Sequence, residues 1–198
     1  MRRLLPALMM ALTALPAQAE ISVSAISRYL NDLSAVRAEF TQINADGSIS
    51  TGDLAIHRPG RARFDYDPPN AGLVVAGGGQ VAVFDPVSNT APEQYPLSQT
   101  PLNLILQSNV NLGRSGTVTR HSGDATQTAI RLQDPANPQY GSIELVFTPN
   151  PVTLRQWIIT DDSGQQTTVV LGDMAVGSTL GSGAFSIPAE MQRRGLRD

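Results

Sequence analysis

The chain of 198 residues has no cysteine, no lysine, two histidines and ten aromatic residues. Nor does it have an apolar run of the roughly 20 residues that crossing a bilayer requires. Without cysteine there are no disulfides, no thiolate metal ligands and no place for a lipid on an N-terminal cysteine. With lysine absent, all 14 basic residues are arginines, set against 17 acids. The histidines, His57 and His121, stand alone: no His-x-x-x-His or Gly-x-Ser-x-Gly pattern occurs, which argues against metal-hydrolase and serine-hydrolase chemistry. Asp161 and Asp162 are adjacent acids, but Ser163-Gly164 follows them, and turn chemistry explains the pair better than a catalytic dyad does. The composition points to a non-enzymatic protein with no cofactor and no metal.

What is present begins with an export signal. Arg2 and Arg3 precede an apolar run from Leu4 to Leu12, and Ala17-Gln18-Ala19 has the small-x-small form that a signal peptidase cleaves. Residues 1–19 therefore read as a signal peptide and 20–198 as one exported domain, periplasmic and expected to be monomeric. Losing Arg2 and Arg3 leaves 12 arginines against 17 acids, a formal charge of −5. That balance argues against nucleic acid as a partner.

The spacing of Ile26, Tyr29, Leu30 and Leu33 predicts an amphipathic helix over Ile21 to Val36, with Ser22 or Ser24 as its cap. From there on, short alternating runs punctuated by turn residues predict ten or eleven strands, the last at Ala184 to Ile187. Hairpin-length links imply antiparallel pairing, and so many strands in series imply a curved sheet closed or nearly closed into a barrel. One segment breaks the rhythm. Thr100-Pro101 reads as a helix start, and Leu102, Leu104, Ile105 and Leu106 give that helix more apolar side chains than a one-sided short helix buries. It serves either as a permanent core plug or as a movable lid. The tail after Pro188, rich in arginine, reads as frayed.

The corner His57-Arg58-Pro59-Gly60-Arg61 is the most informative stretch. Pro59-Gly60 is a turn signal, and beyond it Ala62, Phe64 and Tyr66 alternate with Arg61, Arg63, Asp65 and Asp67. Leu54 and Ile56 before the turn, Phe64 and Tyr66 after it, and Leu30 and Leu33 of the helix are the candidate walls of an apolar hollow. So few aromatics predict that leucine, isoleucine and valine supply most of its lining.

The order of these features resembles the LolA family of periplasmic lipoprotein carriers. The resemblance lies in Phe40-Thr41-Gln42, Gly52-Asp53-Leu54, Arg58-Pro59 followed by Phe64 and Tyr66, Asp85-Pro86, Thr100-Pro101-Leu102, and Phe185 with Pro188. It implies a mainly β fold with some α: an unclosed β-barrel, a curved antiparallel sheet covered by an N-terminal helix and short lid helices. It implies as partners acylated lipoproteins, an inner-membrane releasing ABC transporter of the LolCDE kind and an outer-membrane acceptor of the LolB kind. It also assigns Arg58 as the latch of the lid. The membrane-anchored members of this fold need an acylated cysteine that this chain lacks. A lipid or hydrophobic-ligand binding or sensing module of the same fold is the alternative reading of the same residues.

Overall fold

The structure, a computed structural model, describes residues 20–88, 90–178 and 180–196. The expected leader, residues 1–19, with its cleavage site, and Arg197 of the tail lie outside the described residues.

Helix α1 (Val23–Asp32) opens the described chain, with the Ser22 hydroxyl accepting from the Ala25 amide at 3.3 Å as its N-cap. It stops short of the expected Val36. Val36 fits the helical spacing, but Ala35 and Val36 pair with His57 and Ile56 as the first rungs of a nine-residue ladder, and that ladder wins. Strands β1 (Ala35–Ile43), β2 (Ile49–His57), β3 (Ala62–Tyr66), β4 (Leu73–Gly77), β5 (Gln80–Phe84) and β6 (Glu93–Pro96) form one antiparallel meander. A helical turn, α2 (Asn103–Leu106), comes next. Strands β7 (Val118–Gly123), β8 (Thr128–Gln133), β9 (Ser142–Thr148), β10 (Thr153–Thr160) and β11 (Gln166–Leu171) form a second meander. Pairing of β1 with β11 joins the two, and the short β12 (Ala175–Val176) extends the β1 ladder.

The result is one antiparallel sheet in the order β6-β5-β4-β3-β2-β1-β11-β10-β9-β8-β7. Its two end strands, β6 and β7, are consecutive in the chain but do not pair, so the sheet is not closed, and the α2 segment belongs to the link between them. Twelve strands are present among the described residues, two of them unpredicted: β6, which is polar and ends in proline, and the two-residue β12.

Along strands such as β8 and β9 the alternation puts apolar side chains on the concave face. Ile143, Leu145 and Phe147 of β9 are fully buried while their neighbours are half-exposed. Ile26 and Leu30 of α1 and Ile105 and Leu106 of α2 pack onto that face in the main core, with Phe40, Leu54 and Trp157 beneath them.

Two expectations fail at the C-terminus. The last predicted strand is a 3-10 turn, Ser182–Phe185, and the tail beyond it is helix α3 (Ile187–Arg193), capped by Ser186. Ile187 and Met191 bury themselves with Leu73, Val75, Ala82 and Phe84 on the convex side of the sheet, a second small core. The arginines that suggested fraying are held there: Arg193 and Arg194 both bond Glu190, and Arg63 of β3 reaches the same carboxylate at 3.1 Å. Arg194 also stacks over the Phe84 ring. Gly77 makes the close approach possible, since a Cβ there would lie 2.0 Å from the Phe185 carbonyl oxygen.

Candidate functional site

Helices leave their last carbonyls without intrahelical partners, and those carbonyls need donors. Arg58, at the end of β2, supplies them to two elements at once. One Nη donates to the Leu30 carbonyl in the last turn of α1, and the other donates to the Gln107 carbonyl at the end of α2, at 2.5 Å, and to Asn31 Oδ1 at 3.3 Å. The adjoining turn adds a backbone bond from Gly60 N to the Leu106 carbonyl at 2.8 Å, made by a glycine at φ 69°. A cation at the C-terminal ends of both helical segments is also favoured by their exposed carbonyl dipoles.

The guanidinium is buried enough that desolvation pulls its pKa below the ordinary arginine value, and its Nε is buried without a partner. Its position therefore carries a cost, offset by the carbonyl bonds. Asn31 reinforces the joint: its side-chain amide donates to the Val110 carbonyl at 2.9 Å and accepts from the Val110 amide at 2.8 Å. The segment after α2 is thus tied to α1 by a two-way clamp that sequence reading did not single out.

The α2 segment starts differently from expectation. Thr100 does not cap it; the Thr100 hydroxyl donates backward to the Leu97 carbonyl at 2.8 Å, and the helical turn begins only at Asn103. Bonds from Leu104 to Pro101 and from Ile105 to Leu102 are of the tighter i to i+3 kind. The cover is a short coil of turns fastened at its end by Arg58 and Gly60.

The predicted apolar residues divide into two groups. Leu30, Leu33, Leu54, Ile56, Ile105 and Leu106 surround a residual cavity of about 20 Å³ beside Arg58, so the space between cover and sheet is nearly filled. Leu102, Phe64 and Tyr66 instead line a separate open cleft of about 670 Å³ at the other ends of the strands. Leu104 packs against the core, half-buried, and lines neither. Trp157 lines both spaces.

The cleft also takes in Val74 and Val81 from β4 and β5, Tyr95 from β6, Ile159 from β10 and Val169 from β11, none of which was singled out beforehand. Leucine, isoleucine and valine line most of the small cavity, as expected, whereas the cleft departs from that expectation: Phe64, Tyr66, Tyr95, Tyr140 and Trp157 all line it. Antiparallel pairing gathers Phe64, Tyr66, Tyr95 and Trp157 onto one concave surface, and the turn before β9 adds Tyr140. Phe64 meets Trp157 edge-on with centroids 6.2 Å apart, and Phe40 meets Phe64 at 5.6 Å, so the aromatic wall continues into the core. Tyr66 donates from its hydroxyl to Gln42 Oε1 at 2.7 Å, and burial pushes its pKa up.

A curled, unclosed sheet with an apolar concave cleft of this size, partly walled by a fastened cover, defines a shell for a hydrophobic ligand. Residues 31–188 match the family model described as Outer membrane lipoprotein carrier protein LolA, and the chain belongs to that family. An outer-membrane lipoprotein carrier protein of Pseudomonas aeruginosa is 26% identical over 173 residues, covering 83% of this chain and 82% of that protein. One of Azotobacter vinelandii is 27% identical over 180 residues, covering 86% of each. Two solved structures share the fold at a TM-score of 0.50. An uncharacterized conserved protein from Thermus thermophilus has 10% identity, over 81% of this chain and 89% of that one. A DUF1329 family protein from Desulfovibrio piger has 11% identity, over 84% and 95%.

Proposed function

We propose that this protein is a periplasmic carrier that shields the acyl chains of lipoproteins released by an inner-membrane ABC transporter and passes them to an outer-membrane acceptor. Export by the leader, action as a monomer, binding in place of catalysis, and the two membrane partners are all parts of this reading. Family membership supports the carrier role. The observation that carries it is the apolar cleft whose wall includes Pro101 and Leu102 of a cover held by a few hydrogen bonds at its far end.

The physics of the task explains that design. Each buried CH₂ is worth roughly 0.8 kcal/mol, so acyl chains cannot cross water unshielded. A carrier without fuel must also release them, which requires its affinity to fall below the acceptor's. A cover that fills the hollow when empty meets both needs, because opening it costs free energy that offsets part of the acyl burial. In this account Ile105 and Leu106 exchange contacts with Leu54 and Leu30 for contacts with lipid, while Arg58 latches the closed form.

The experiment is lipoprotein release from inner-membrane vesicles containing the transporter and ATP. A carrier brings triacylated cargo into the soluble fraction as a complex with itself. Cargo that stays in the membrane fraction at saturating protein refutes the proposal.

A further inference from the structure

The cleft has an apolar floor and a rim of distinctive charge. Its uncharged polar lining comes from Gln42, Gln99, Thr100, Gln139 and Thr167, side chains suited to ester and amide groups. Among the described residues, its charged lining is Asp161 and Asp162, at the hairpin between β10 and β11. Among the described residues no arginine lines it. Several arginines are engaged elsewhere: Arg58 at the helix ends, Arg63, Arg193 and Arg194 on Glu190, Arg131 on Glu144 and Arg155 on Asp173.

The hairpin explains part of this pair and leaves part unexplained. Asp161 Oδ1 accepts from the Ser163 amide at 2.9 Å, the Ser163 hydroxyl at 2.8 Å and the Gln165 amide at 2.9 Å, which is turn chemistry that asparagine would also satisfy. Those bonds hold the carboxyl below the usual aspartate range, so it stays ionised. Asp162 accepts none of these turn hydrogen bonds, so turn chemistry accounts for Asp161 and not for its neighbour at the mouth of the cleft.

We infer that Asp161 and Asp162 make the cleft selective for head-group charge, admitting acyl chains attached to neutral or cationic groups and disfavouring anionic amphiphiles such as free fatty acids. The inference rests on the proposed acyl-binding role of the cleft. It supplies something a carrier needs, since a general grease pocket would fill with whatever anionic lipid is nearby. Two carboxylates at a partly solvated mouth repel a third anion and attract a cation over several ångströms, more strongly at low salt.

The test uses displacement of an uncharged naphthylamine dye from the whole protein by hexadecanoyl peptides whose heads carry two lysines, two serines or two aspartates. Wild-type protein is compared with the Asp161→Asn, Asp162→Asn double variant. At low ionic strength the lysine peptide is expected to bind about fivefold more tightly than the aspartate peptide, with the difference shrinking in high salt and in the double variant. Equal affinities in the wild type overturn the inference, as does a preference that persists in a double variant whose circular dichroism is unchanged. If none of the three peptides displaces the dye, acyl binding itself fails and the selectivity falls with it, a result distinct from binding without preference.

Discussion

Arg58 and Gln107 are joined by a hydrogen bond from a guanidinium nitrogen to a main-chain carbonyl at 2.5 Å, and the same guanidinium reaches the Leu30 carbonyl. One side chain thus closes the ends of two helical segments. Replacing it with leucine removes charged hydrogen bonds worth about 1.5–3 kcal/mol each and leaves carbonyls unpaired, so the cover's opening equilibrium shifts at least about tenfold. Arg58→Leu is expected to bind apolar dye more strongly and to retain cargo that the wild type passes on. Arg58→Lys should fall between, because an ammonium cannot span both carbonyls with a planar fork. Unchanged dye binding and unchanged transfer in Arg58→Leu remove the latch role.

Asn31 clamps Val110 in both directions, and its loss should loosen the cover without touching Arg58's charge. Asn31→Ala is expected to destabilise the protein by about 1–2 kcal/mol and to speed amide exchange selectively over residues 103–110. Exchange that rises equally throughout the sheet contradicts a local clamp.

Trp157 is the sole tryptophan and is almost fully buried in the wall shared by the cleft and the small cavity. Acyl peptides brominated along the chain should quench its fluorescence in a saturable way, while peptides brominated only in the head should not. Binding without any quenching places the chain elsewhere.

Glu190 sets the acid stability of the outer brace. Burial raises its pKa, but hydrogen bonds from Arg193, Arg194 and Arg63 overcome that and bring it to about 2. A carboxyl depressed in the folded state contributes stability above its unfolded pKa, near 4.3, and that contribution is lost as pH falls toward 2. Glu190→Ala is expected to cost about 3 kcal/mol at neutral pH, a fall of about 6–12 °C in Tm. The difference between variant and wild type should shrink below pH 4, and a constant difference across pH 2–7 contradicts the ion-pair account.

Much of this architecture is legible in the sequence, for a physical reason. Runs such as Ser142 to Phe147 alternate at period two because one face meets the core, so their strands read directly. The end of α1 misleads because Val36 lies at helical spacing from Leu33, and only the ladder to β2, where Val36 pairs with Ile56, decides for strand. Strand β6 is silent because Glu93-Gln94-Tyr95-Pro96 pairs with β5 through its backbone while its side chains stay largely exposed. Helix α3 is silent because its two buried apolar residues find their partners on β4 and β5, about 110 residues away, and its arginines find theirs in a glutamate that no local window marks as buried. The site divides the same way. Arg58 stands out at its corner, whereas Asn31's clamp and the aromatic wall exist only once distant strands are brought side by side.

The central claim is that the cover moves off the concave face to admit fatty chains. The absence of native cysteine allows a clean pair of labels at exposed Ser108, beyond α2, and exposed Thr51 on β2, with their separation measured by pulsed electron spin resonance. The account predicts one short distance in the empty protein and a longer, distinct one on loading with a triacylated lipoprotein. The same distance in both states, with cargo demonstrably bound, would contradict it.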